Sequence, residues 1–476
     1  MNKKCLLRKK LLLFIVLVPS IVVGQNYNSA AVINLSLDSC LAMAKRNSYD
    51  LKIAEQLTIK AQSEKKAIFS KYFPTVSANA GYMYMFENIK VFKDIDPMLP
   101  TFDLGGTSIP LPIPVDLNAL ADMLRSSIVQ YWKPIEIGMK GAYMAGVTLQ
   151  QPLFAGGRIV AGNKMAKTGT EMAKENHKLK QAETLVDAQK TYWLYVSVRE
   201  KVKLAKSYEK LLTELEKMLT DVSDVEMINR NELMKVQVQH NQVKAQVSQA
   251  ESGLELSRMA LCRIIGVNYG TKINPTDTVA QVTENYILPP DDAVYSRPEY
   301  KLMQKQIMLK EGEVKLARGE YLPTLGLGAT FGYMGGMKIM NQTQDPMNVS
   351  NVMVMLSVPI TSWWEGSKKI KSAKTDKMIS ELQMQKNMQL LELDIKQATF
   401  NAINSYQQVK NAEFALEQAK ENLRISTDRY MVELETITNL ITAQSMWQTA
   451  YSDLIDARID YRIKEVEYQK AIGELE

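Results

Sequence analysis

From residue 440 onward, apolar or small residues recur at alternating steps of three and four: Leu440, Ala443, Trp447, Ala450, Leu454, Ala457, Tyr461, Tyr468, Ala471 and Leu475, with Lys464 as the one break. An earlier stretch carries the same spacing through Leu233, Val236, His240, Val243, Val247, Ala250, Leu254, Ser257, Leu261 and Ile264. Ala205, Tyr208, Leu212, Leu215 and Leu219 continue it on a preceding segment. A sustained seven-residue period predicts supercoiled helix pairs. The many Ala and Ser positions on the stripe predict closely approaching backbones.

Other stretches have period two. In 323–334, Leu325, Leu327, Ala329, Phe331 and Tyr333 alternate with Thr324, Gly326, Gly328, Thr330 and Gly332. Val76, Ala78, Ala80, Tyr82 and Tyr84 alternate with Thr75, Ser77 and Asn79. Similar alternation fills 137–149 and 351–358. One greasy and one polar or tiny face predicts half-exposed strands. Strands of about 10 residues with aromatic ends also suit an outer-membrane barrel, whose lipid and water faces alternate. Taken singly, each strand fits an ordinary sandwich equally well.

The chain reads as two copies of one unit. A constant shift of 207 carries Pro152 to Pro359, Ala166-Lys167 to Ala373-Lys374, Leu233 to Leu440, Gln237 to Gln444 and Gly266 to Gly473. The predicted layout is a signal peptide over 1–24, a first repeat over 25–270, a linker over 271–291 and a second repeat over 292–476. In the first repeat a helix precedes strands near 74–86 and 136–151, followed by helices near 157–222 and 231–265. In the second a helix precedes strands near 322–335 and 348–360, followed by helices near 365–429 and 437–475. Residues 86–136 form an insertion with a possible helix from Asn118 to Gln130, expected on the extracellular side.

Composition removes several classes of function. The basic head, apolar run Leu11 to Val18 and small residues near Gly24 form a secretory signal. Its five cations account for most of the formal +6, leaving the mature chain near +1 and without a basic footprint for nucleic acid. Cys40 and Cys262 are read as buried small apolar residues in preference to a disulfide framework. The two histidines, His177 and His240, share no local metal motif, and His240 reads as a residue of the helical seam. No G-x-S-x-G, HExxH or C-x-x-C occurs. The expectation is a non-enzyme with no cofactor and no resident metal.

The stretch "QQPLFAGGRIVAGNKMAK", 150–167, superficially resembles a phosphate loop. Asn163 interrupts the required Gly-Lys step, and the shift of 207 replaces Gly156 and Gly157 by Trp363 and Trp364. It is read instead as a strand-to-helix joint. Pro152 would end the strand ladder because it lacks an N–H, and Gly156 and Gly157 would relax the bend. Pro359 marks the second joint. Four membrane-type strands cannot close a barrel, and open edges have no hydrogen-bond partners in lipid. Three copies would supply twelve strands, with coiled-coil helix pairs continuing as a tube. The expected fold is thus mixed α and membrane β, with each chain contributing four strands to a trimeric barrel.

"YFPT" and "YLPT" opening a strand, "QQPLFAGGR" and "VPI" closing one, and "RYMVELETITNLITAQSMWQTAYSDLIDARIDY" over 429–461 resemble the TolC family of outer-membrane efflux proteins. The resemblance covers nearly the whole mature chain. It implies a homotrimer in outer-membrane lipid, with a helical tunnel in the periplasm, passively conducting small molecules exported in a tripartite efflux system. Its partners would be a periplasmic adaptor and an inner-membrane pump of the RND or ABC type. A type I protein-secretion duct is the alternative. So is a Cu/Ag ion channel, since Met83, Met85, Met144, Met334, Met353 and Met355 fall on the predicted lumen side. The resemblance also places a periplasmic gate at the turns 221–233 and 430–440, with candidates Asp224, Glu226, Arg230, Arg429, Tyr430, Glu433, Glu435, Asn439 and Thr442. Tyr430 matches a latch tyrosine of the family, with Arg429 and Arg230 as its candidate partners. Asn439 and Thr442 stand where the family prototype has acidic residues, and Glu433 and Glu435 are read either as a partial replacement for that ring or as solvated turn charges.

Overall fold

The computed structural model describes residues 32–87, 89–91, 135–138, 140–223, 229–279, 282, 288–339 and 342–475. The signal segment 1–24, the expected helix at 118–130, and the gate candidates Asp224 and Glu226 lie outside the described residues. Two units emerge, each drawing on both halves of the sequence. One takes the described residues within 1–48, 185–285 and 404–463; the other takes those within 49–184, 286–403 and 464–476.

In the first unit, β1 (Val32–Leu35) pairs in parallel with β6 (Lys272–Pro275), so the segment read as a linker over 271–291 contains a strand. A four-residue strand ending in proline has too short a period to announce itself. Helix α1 (Leu37–Asn47) follows, capped by Ser36 accepting from the Ser39 amide. The short sheet is held by side chains from α3 (Arg158–Ser223) and α4 (Arg230–Ile265). Tyr195 donates to the Ile273 carbonyl at 2.7 Å, Arg199 to the Pro275 carbonyl at 2.9 Å, and Arg258 to the Thr271 carbonyl at 2.6 Å. Tyr192 donates to Asp277 Oδ2 at 2.5 Å, which also accepts from the Leu37 amide at 2.8 Å. These groups surround a core of Leu35, Cys40, Tyr192, Val196, Leu261, Cys262 and Ile265, joined by Ile455 and Ile459 of α8 (Ile437–Ile472). Cys40 and Cys262 are free buried thiols, as expected of small apolar residues. Burial pushes the Cys40 thiol up to about 12.

The helical stripes bury as their spacing predicts. Val236, His240, Val243, Val247 and Leu261 are buried on α4, and Leu440, Ala443, Leu454, Tyr461, Tyr468 and Ala471 on α8. His240 is a seam residue: its Nδ1 faces Glu216 Oε2, and its Nε2 lies 3.1 Å from Thr213 Oγ1. The hydrogen bond from His240 holds the Glu216 carboxyl below its ordinary value.

In the second unit, α2 (Tyr49–Phe69) lies against α3, with Thr58 and Thr170 hydroxyls reaching carbonyls across the pair. Short α5 (Ala293–Ser296) leads into α6 (Pro298–Gly319), which is tied to α3 by Lys305 and Glu171 at 2.6 Å. Arg297, 5% exposed at its side chain, bonds both Glu299 and Asp394, the latter on α7 (Trp363–Met431). The main sheet contains β2 (Thr75–Tyr84), β5 (Lys140–Ala155), β7 (Thr324–Gly335), β10 (Met347–Asn348) and β11 (Asn351–Ser357), all antiparallel. β10 and β11 share the same edge of β7. A second sheet runs β3 (Ile89–Val91), β4 (Ile135–Gly138), β8 (Lys338–Ile339) and β9 (Gln342–Thr343). The strand expected as one piece over 136–151 is therefore divided between two sheets. Among the described residues no helix is long and apolar enough to cross a membrane.

Candidate functional site

Strand register decides what the main sheet can do, because residues directly opposite in a ladder share a face. Met144 pairs with Met334, Gly146 with Gly332, Thr148 with Thr330 and Gln150 with Gly328. The same face continues through Thr75, Ser77, Asn79, Gly81 and Met83 on β2, and through Asn351, Met353, Met355 and Ser357 on β11. The other face collects Val76, Ala78, Ala80 and Tyr82, then Tyr143, Ala145, Val147 and Leu149, then Leu325, Leu327, Ala329, Phe331 and Tyr333, then Val352, Val354 and Leu356. Alternations that are weak strand by strand are in phase across four strands. Yet Val76, Tyr82, Phe331, Tyr333, Val352, Val354 and Leu356 remain exposed. A broad apolar face left open, opposite a polar and glycine-rich one, separates an apolar medium from water. Among the described residues β2 forms one edge and β10 with β11 the other, and neither edge pairs beyond the sheet.

The strand-to-helix joints differ from expectation at Pro152. It does not end the ladder: β5 runs on to Ala155, which pairs with Thr324. The register instead shifts between Pro152 and Phe154. Pairing with β2 ends at Gln150, so beyond it β5 is bonded on one side only, and a bulge there absorbs the missing N–H. Gly156 and Gly157 then turn the chain into α3 with φ of 61° and 78°. A Cβ on Gly156 would lie 2.2 Å from the Gly319 carbonyl oxygen, and one on Gly319 would lie 2.6 Å from that of Gly156. This joint is therefore a backbone-to-backbone contact with the end of α6, and Gly319 is a partner the sequence pattern did not reveal. At the second joint Pro359 follows β11 by two residues, before α7 begins at Trp363.

The α7–α8 turn gathers most of the remaining candidates. The Glu433 amide donates to the Tyr430 carbonyl and the Leu434 amide to the Arg429 carbonyl, closing the end of α7. Glu433 takes φ of 56°, a left-handed position that glycine fills without strain, and its side chain is exposed. Glu435 is half-buried and lies 3.9 Å from Arg429 Nε. Thr436 accepts from the Asn439 amide and starts α8. Asn439 and Thr442 are exposed, and the Thr442 hydroxyl is committed to the Thr438 carbonyl. Tyr430 packs against a core that includes Leu219, Val236, Ile437 and Leu440. Burial, then the charge of Glu232, raises its hydroxyl pKa. Arg230 is exposed at the start of α4, on the other hairpin. The hairpins are joined directly by Lys235 Nζ donating to Thr438 Oγ1 at 3.1 Å.

Residues 290–474 match the family described as "Outer membrane efflux protein". That match spans less than half of the chain, and the described chain has the fold of solved outer membrane channels. The Campylobacter jejuni CmeC outer membrane channel superposes with a TM-score of 0.71 at 18% identity, covering 92% of this chain and 85% of that one. VceC from Vibrio cholerae, an outer membrane protein, gives 0.71 at 13% identity, with 92% and 96% covered. The Escherichia coli outer membrane protein TolC is 23% identical over 196 residues, 41% of this chain and 39% of its own length. The chain therefore matches less than half the length of that curated relative. Among the described residues, the open-faced sheet and the paired hairpin ends are where this chain departs from a self-contained globule.

Proposed function

We propose that this protein is the outer-membrane channel of a tripartite efflux system, a passive conduit from the periplasm to the exterior. The observation that carries this reading is the main sheet, four strands wide because β10 and β11 share one position, with in-phase faces and, among the described residues, two unpaired edges. A sheet edge in lipid has no water to satisfy it, so closure requires further copies of the chain. Three copies give twelve strands, with the apolar face toward lipid and the Thr-, Gly- and Asn-bearing face toward an aqueous lumen. The helices would form the periplasmic tunnel, and the hairpin ends with Arg230, Arg429, Tyr430, Glu433, Glu435, Asn439 and Thr442 its gate. A periplasmic adaptor and an inner-membrane pump would supply recognition and energy. Purified chain is expected to migrate as a trimer in mild detergent, to fractionate with outer membranes, and to give discrete single-channel steps in planar bilayers. Recovery as a soluble periplasmic monomer without channel activity would sink the proposal.

A further inference from the structure

The sorting of methionine between the two faces of the main sheet points to a site. The polar face holds Met83, Met144, Met334, Met347, Met353 and Met355, and no leucine, valine, isoleucine or aromatic residue. The apolar face holds Val, Leu, Phe, Tyr and Ala, besides Gln151, Gly335 and Asn348, and, among the described strand residues, no methionine. Methionine serving as a flexible stand-in for leucine would be found on the apolar face. Here it is found only where water is expected. Three of these residues form one row: Met144 on β5 opposes Met334 on β7, which opposes Met347 on β10. Adjacent strands lie about 4.8 Å apart, and each side chain carries its sulfur on a flexible arm. The outer two thioethers can thus lean onto the central one. Met83, opposite Ala142, is the diagonal neighbour of Met144 and within reach of the same point. The next level of the face is Asn79, Gly146 and Gly332, so only the Asn79 side chain stands beside the row on that side, and none stands next to the central Met334.

We propose that Met144, Met334 and Met347 form a binding site for a soft monovalent cation, Cu(I) or Ag(I), held by thioether sulfur. This rests on the conduit reading for its position, at the strand ends away from the helices and on the lumen side. Neutral thioethers prefer soft ions over Na⁺, K⁺ or Mg²⁺. A conduit needs sites favourable enough to enter yet weak enough to leave. Met353 and Met355, opposite Gly328 and Gly326 nearer the helices, supply a second stop on the same face.

The test compares the full-length wild-type chain with Met144→Leu/Met334→Leu/Met347→Leu, which keeps volume and removes sulfur. Silver nitrate is the probe, in nitrate buffers. Bound silver is measured after desalting, and single-channel conductance is followed while silver is added. The buried cysteines contribute equally to both proteins and cancel in the difference. The wild type is expected to retain about one more silver ion per chain and to lose conductance at silver concentrations at least tenfold lower. Equal binding and equal block, with normal conductance, overturns the site and leaves the conduit standing. Absence of conductance in both proteins defeats the conduit, while the difference in bound silver still decides the site. Should the triple variant not assemble, Met334→Leu alone removes the central ligand and is read the same way.

Discussion

Arg297 shows how much one side chain can hold. It is buried with two carboxylates, Glu299 at 2.9 Å and Asp394 at 2.7 Å. Removing the cation strands Glu299, whereas Asp394, 54% exposed, keeps much of its water. Arg297→Met is therefore expected to destabilise by about 3 kcal/mol, the low end for a broken buried pair, read as a lower unfolding temperature in detergent. Burial alone would raise the Glu299 carboxyl, but the bonds and charge of Arg297 outweigh it and hold it below the ordinary range. A depressed carboxyl stabilises the fold above its unfolded value of about 4.3, and the contribution fades as pH falls through the depressed value. Glu299→Gln should flatten the pH dependence of stability in that acid window; an unchanged profile would refute the coupling. Glu433 is the converse case, a residue whose backbone is strained. Glycine there is expected to raise stability by about 1 kcal/mol, and valine to lower it, in the same unfolding assay. The resemblance drew attention to Glu433 as a gate candidate, and its left-handed backbone emerges only in the structure. Nothing local flagged Arg297 or Gly319, because Asp394 and Gly156, which complete their contacts, come from distant segments.

Helices and strands were the most legible level. The spacing of three and four from Leu440 matches the buried side of α8, and the 36 residues of α4 and of α8 begin and end within a few residues of expectation. Strand faces were also readable, because period two needs only a few residues to declare itself. What escaped were elements shorter than their own period, β1 and β6, and the bulge at Pro152, where proline shifts a ladder without stopping it. At the hairpin ends, the two glutamates expected to act together occupy different surroundings. Glu435 is offset by Arg429 within its own turn, while Glu433 faces solvent. Glu433→Gln is therefore expected to lower cation selectivity in bilayer recordings more than Glu435→Gln does. Equal selectivity in the wild type and both variants would remove acidic gating from this turn.

Across the whole chain, the sequence repeat and the packing answer different questions. The shift of 207 reports chain order, whereas the core of the first unit mixes Tyr192 and Leu261 from the first half with Ile455 and Ile459 from the second. Lys201 likewise pairs with Asp456 at 2.5 Å. Periodicity could not announce such pairings, because it carries no information about which stripe meets which. The unpaired edges at β2 and β11 have a consequence for inheritance. If three chains must close one ring, a copy with a spoiled edge ruins every ring it joins. Coexpressing equal amounts of wild-type chain and a variant with proline at Val354, on the edge strand, should leave only about one ring in eight free of the variant. Bilayer activity per unit of protein would then fall far below half. A loss of only one half would mean that each chain works alone.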